Sequence, residues 1–476
     1  MLFNSIEFLL FLPIVFYLYW FVFNKILRYQ NILLLIASYF FYGWWSWKFM
    51  CLLAISTFLD FSYGFWVASS NKIKAKLFLW LSIINNLGIL AIFKYYNFFA
   101  EQFKQAFENI GIHTHPVILD IALPIGISFY TFHGMSYVFD IYNGRQKPVA
   151  NFIEYAVFVS FFPLLVAGPI ERATHLLPQV QRPRTFDYNQ AVEGCRLILW
   201  GMFKKVVIAD SLAEIVNNIF MGYQQKNAFA LIVAAIAFSF QIYCDFSGYS
   251  DIAIGTAKLL GFELLSNFKF PYFSRDIAEF WRRWHISLSS WFKDYLYIPL
   301  GGSKNGKWQA IRNVFIIFLV SGFWHGASWK YVAWGFVHAC AFLPLLLLGR
   351  NRKHISTIIA YDKRWPSFKE LIQMGCTFLF VTFAWVFFRA DNISVALKYL
   401  QRIVVNTFEY PKQFLCLPEG KTALIYIIPF ILCEWYLRRD ERKLIVPAYK
   451  SLVYVILIVI VFFYFGKNNS FIYFQF

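Results

Sequence analysis

His325 and His338 stand in the stretch SGFWHGASWKYVAWGFVHA (321–339), between the apolar runs 311–320 and 340–349. A titratable ring at membrane depth costs several kcal/mol unless it faces a polar cavity, so each is a functional-site candidate. Gly322 and Gly326 bracket His325 and permit close backbone approach and a break in the helix. A lone histidine could instead be hydrogen-bonded to a neighbouring helix. His325 is not alone, however. His285 closes WRRWH (281–285), next to Arg282 and Arg283, whose guanidiniums could hold the phosphates of a donor. Asp245 and Asp251 fall in QIYCDFSGYSDIAIG (241–255), which implies a polar, water-accessible cavity. Aspartate is hard to keep basic and unpaired, so supporting hydrogen bonds are its expected role.

These groups must be positioned inside a membrane. The chain has 476 residues, 59% of them hydrophobic and 15% charged, with a mean hydropathy of +0.53. That composition implies an all-α polytopic membrane protein. The net charge of +18 reads as anchoring of cytoplasmic loops, and no nucleic-acid partner is expected. Seven cysteines without a CxxC imply inert buried thiols. The pair His113 and His115 has few other ligands near it in sequence, so no metal site is expected.

Thirteen apolar runs lie between residues 7 and 465. They predict about eleven transmembrane helices, with re-entrant and interfacial helices beside them, in one integral-membrane domain, 1–476. The run 152–170 is flanked by arginines and ends in Gly-Pro, as a re-entrant segment or a kinked helix would. Lys204 and Lys205 are expected to snorkel from a helix end. Spacing of Ile277, Trp281, Trp284 and Leu288 predicts a basic amphipathic helix at an interface. Basic residues at 25–28, 72–76, 350–369 and 438–443 mark cytoplasmic loops, which puts both termini outside.

WRRWH (281–285), YCDFSGYSD (243–251), DYLYIPLGG (294–302) and SGFWHGASW (321–329) resemble the membrane-bound O-acyltransferase (MBOAT) family. Within it the chain is most similar to the bacterial alginate O-acetyltransferase branch. LPIGISFYTFHGMSYVFD (123–140), FFPLLVAGPIER (161–172) and FIYFQF (471–476) extend the likeness, with 120–345 as the core carrying the motifs. The resemblance implies a helical bundle around a central funnel, in the bacterial inner membrane. It assigns the invariant family histidine to His325 and the second active-site position to His285. His338, Trp324, Asp245, Asp251, Arg282 and Arg283 would support them. No permanently bound cofactor or metal is implied; the donor would be a cytoplasmic acyl thioester, either acetyl-CoA or an acyl carrier. A periplasmic SGNH-type acetyltransferase and an exported polysaccharide would be the partners. A neutral His325 could then deprotonate the acceptor hydroxyl while His285 donates to the oxyanion.

Two other readings stand beside this one. A D-alanyl transfer protein of teichoic acid type would use a carrier-protein thioester. A transporter or flippase would carry inverted repeats, and the sequence shows no self-similarity. The outward-facing aromatic tail, 466–476, favours acyl transfer. Tyr473 within it could accept the acyl group and pass it to an exported acceptor. The bland reading of the tail is an interfacial aromatic belt.

Overall fold

The computed structural model describes residues 1–69, 71–304, 306–355, 357–409, 421–442, 450–466 and 471–472. Helices are the only regular elements among the described residues, as a chain that must satisfy its own backbone in lipid requires. Five are long and apolar enough to cross a membrane: Trp47–Ser69, Lys72–Glu108, Ala228–Leu259, Trp329–Leu347 and Phe368–Arg389. Ile6–Val22, Leu424–Leu437 and Leu452–Tyr464 are shorter apolar helices. Leu10, Phe21, Ile84 and Phe462 are exposed on such segments, where a water-soluble protein would hide them and a bilayer would cover them. The described cysteines follow suit: only Cys244 is buried, and the expected burial of the others does not hold.

The chain divides into two compact units. The first holds Met1–Gly194 and Ala253–Leu265. Some of its helices start on side-chain caps, with Ser5 accepting from the Phe8 N–H at 3.3 Å and Asn71 from the Lys74 N–H at 2.9 Å. The helix Ile127–Tyr142 is buried on almost every side. It lies close to Trp47–Ser69 because Gly64 and Gly134 leave room: a Cβ at Gly134 would fall 2.0 Å from the Asp60 carboxylate. Asp60 is itself buried and accepts from Asn86 at 2.7 Å and Ser82 at 3.2 Å. The run 152–170 forms a helix, Phe152–Ser160, then a short one, Phe162–Leu165, then irregular chain. Residues 155–171 are all buried, so the irregular backbone is enclosed by protein.

The second unit holds Cys195–Ile252 and Ser266–Phe476. Helix Lys307–His325 turns through Gly326 into Trp329–Leu347, and the two pack backbone to backbone. A Cβ on Gly322 would sit 2.2 Å from the Tyr331 carbonyl oxygen, and one on Gly335 2.2 Å from that of Phe318. Only glycine permits this approach. The long helix beginning at Ala228 is 72% buried over its most apolar window, so it is a central rather than lipid-facing element. Two expectations need correction here. The segment 277–292 is not one interfacial helix: it is two short helices, Ile277–Arg283 and Ile286–Phe292, with Phe280, Trp284 and Leu288 buried. Lys204 and Lys205 do not snorkel: they are 3% and 1% exposed and paired with carboxylates.

Candidate functional site

His325 is the last residue of its helix and His338 lies in the middle of the next. Gly322 does not break the first helix, which runs through it and ends at Gly326. His285 joins the two short helices with φ 44° and ψ 54°. This is the left-handed region, which costs a non-glycine residue about 1–2 kcal/mol. Asn267 holds the junction in place. Its carbonyl accepts from the Ile286 N–H at 2.9 Å, and its side-chain oxygen from the Ser287 hydroxyl at 2.6 Å. An outlier maintained by its surroundings is a mark of a working site.

All three imidazoles are buried in one aromatic cluster. The Trp324 ring centre lies 5.0 Å from that of His325 and 6.0 Å from that of His285, so one indole touches both. His325 also meets Trp334 and Phe388, each at 5.3 Å. His285 meets Phe246 edge-on at 4.7 Å. Burial alone lowers the pKa of His285 to about 3, so it is neutral at physiological pH. A neutral imidazole offers one N–H and one lone pair, as either an oxyanion donor or a base needs.

His338 is different. The Trp281 Nε1–H donates to its Nδ1 at 3.3 Å, which puts the ring proton on Nε2. Trp334 packs against it at 4.9 Å and Trp281 at 5.0 Å. It braces the wall behind His325, since Trp334 touches both rings.

Asp245 and Asp251 belong to a charged network in the same unit. Lys205 lies 2.7 Å from Asp245 and 2.8 Å from Asp210; Lys204 lies 2.6 Å from Asp251. Both lysines sit on a widened helical turn, Phe203–Ala209, a local feature frequent at functional sites. The other Asp245 oxygen accepts from the Ile472 N–H at 2.6 Å. Phe471 and Ile472 are buried, with the Phe471 ring 4.2 Å from Tyr249 and 6.3 Å from Phe246. The beginning of the aromatic segment is thus inside the protein, one ring away from His285. Tyr473 lies outside the described residues.

Arg282 donates to the carbonyls of Asn351 at 2.8 Å and His354 at 3.4 Å. Arg283 donates to Glu279 at 2.8 Å and to the Lys269 carbonyl at 3.2 Å. The Arg282 contacts tie the WRRWH segment to the loop that follows residue 350. Two residues escaped the sequence reading. Glu434 is buried and accepts from the Tyr243 hydroxyl at 2.6 Å. A single carboxylate within IIPFILCEWYL was the available signal. Asn267 carries no such signal, because its task is set by a backbone angle.

The model of the membrane-bound O-acyltransferase family matches residues 145–388. The chain is 40% identical over 399 residues to "Probable alginate O-acetylase AlgI" of Pseudomonas aeruginosa, covering 83% of this chain and 73% of that one. It is 35% identical over 437 residues to the peptidoglycan O-acetyltransferase of Helicobacter pylori, covering 85% and 80%. Similarity to the teichoic acid D-alanyltransferase of Bacillus subtilis is 26% over 273 residues, covering 56% and 68%.

Proposed function

Since the chain belongs to the membrane-bound O-acyltransferase family, we propose that it moves an acetyl group from a cytoplasmic thioester across the bacterial inner membrane to O-acetylate an exported, alginate-like polysaccharide. The observation that carries this reading is the shared Trp324 wall: His325 and His285 are buried against one indole, each with a neutral-imidazole task available. Family membership sets the transporter reading aside. The D-alanyl reading has the weaker support, because its relative is more distant and covers less of the chain.

His325 takes the proton from the attacking hydroxyl as the new C–O bond forms. The carbonyl oxygen becomes negative and takes a hydrogen bond from His285. The C–S bond then breaks, and the leaving thiolate recovers the proton from the His325 imidazolium. The attacking hydroxyl is that of Tyr473, and the aryl ester so formed passes its acetyl group to a hydroxyl outside. In this way the acetyl group crosses while its carrier stays behind. His338, Trp324 and Asp251 support the constellation, and Arg282 and Arg283 hold the segment that carries His285. An SGNH-type partner completes transfer outside, both termini face outward, and the helices that cross the bilayer, about eleven, are therefore even in number.

The test is reconstitution in vesicles with acetyl-labelled thioester inside and polysaccharide outside. The intact chain should place base-labile label on the polysaccharide, and Tyr473→Phe, which keeps the ring, should not. Normal transfer by Tyr473→Phe would remove the relay. No transfer by the intact chain, with its partner supplied, would remove the acetylation reading.

A further inference from the structure

The charged network around Lys205 takes no part in the chemistry above, yet it reaches the aromatic segment. Asp245 divides its oxygens between two partners: Oδ1 faces the Lys205 ammonium at 2.7 Å and Oδ2 accepts from the Ile472 backbone N–H at 2.6 Å. Lys205 is held in turn by Asp210 at 2.8 Å. The widened turn that carries Lys205 is pressed against the long helix, since a Cβ on Gly248 would fall 3.0 Å from the Lys205 backbone nitrogen. Asp245 is 3% exposed. A buried carboxylate engaged on both oxygens is poorly placed to move protons, but well placed to hold a chain segment.

We propose that Asp245 is a positioning residue that seats the aromatic segment in the core, with Lys205 fixing its orientation. Tyr249 and Phe246 complete the seat by receiving the Phe471 ring. Phe246 also forms one wall of His285, so the seat and the second histidine share a side chain. The bond is made to a backbone N–H, so the seat fixes the chain without reading the side chain at 472. Its value to catalysis rests on the acyl-transfer reading: an anchor immediately before Tyr473 is what a relay on that residue requires.

The test separates anchoring from activity. A photoreactive phenylalanine analogue at position 471 should crosslink to the turn Phe246–Tyr249 in the full-length protein in membranes. Replacing Ile472 by its α-hydroxy acid removes only the N–H and leaves Asp245 and Lys205 intact. Crosslinking and O-acetylation should both fall at least about tenfold, as for loss of a charge-assisted bond. Asp245→Leu should do the same. Asp245→Asn keeps an acceptor for the N–H and should stay within about threefold of the unmodified chain. His325→Ala should abolish acetylation and leave the crosslink intact. An unchanged crosslink in the ester variant overturns the anchor, even if Asp245→Leu fails to fold. So does acetylation that falls in the ester variant or in Asp245→Leu while the crosslink persists. If the unmodified chain acetylates nothing, the acyl-transfer reading fails, and the crosslinks still decide the seat.

Discussion

Each of the two units buries a carboxylate on a long apolar helix, and the two are solved differently. In the first unit Asp60 is satisfied by Asn86 and Ser82, side chains of the next helix, and Gly134 fits against it. Both of these partners are neutral and come from one adjacent helix, Lys72–Leu90. In the second unit Asp245 faces a lysine and a backbone N–H from a residue 227 positions away, next to a widened turn. There the histidines stand at a helix end and at a left-handed junction. The first pattern is packing of helices with polar contacts; the second departs from regular structure wherever chemistry is proposed. Irregularity right beside the carboxylate, rather than buried charge as such, separates these two sites.

Breaking the second region should be far more damaging. His325→Ala is expected to lower acetylation by roughly 10²–10⁴-fold with protein level and insertion preserved. Substantial residual acetylation at normal protein amount would mean that another group takes the proton.

His285 sharpens the comparison. His285→Ala should lose roughly 10²–10³-fold, as for removal of an oxyanion donor. His285→Asn should be milder for two independent reasons: asparagine donates a hydrogen bond and tolerates left-handed backbone. His285→Gly accepts the backbone but donates nothing from its side chain. Glycine matching asparagine would show that the angle matters and the donor does not; equal losses in all three would point to an acid–base role requiring imidazole. Initial rates in membranes at matched protein level decide among these outcomes.

The smallest effect belongs to the first unit. Asp60→Asn keeps an acceptor oxygen and should reduce stability by about 1 kcal/mol while activity per molecule stays within about twofold. A collapse of activity with normal thermal stability would break the comparison, because the first unit would then share in the reaction.

The histidines were legible because apolar sequence makes a buried ring conspicuous, and the membrane character followed from composition alone. The pairing of Lys205 was not. Its partners lie five and forty residues away: the first spacing needs a widened turn and the second needs two helices in register, and neither has a local signature. The break at His285 was hidden for a related reason. The helical spacing of Ile277, Trp281, Trp284 and Leu288 runs straight across it, and only the contacts from Asn267 explain why the helix stops. FIYFQF was visible as an aromatic segment, but the seat for its first two residues is built from the 245–249 turn, which reads equally well as an ordinary membrane helix.

The bond between Asp245 and Ile472 also has a consequence in time. The ribosome makes Asp245 first, and at roughly 5–20 residues per second the partner amide follows after some 10–50 s. Late in that interval the long helix, the widened turn with Lys205 and all three histidines can be in the membrane without the segment that occupies the seat. Once His338 has been made, the chain therefore has its acid–base groups while the proposed acyl acceptor is still missing, so a half-made enzyme meeting the donor has nothing of its own to acylate.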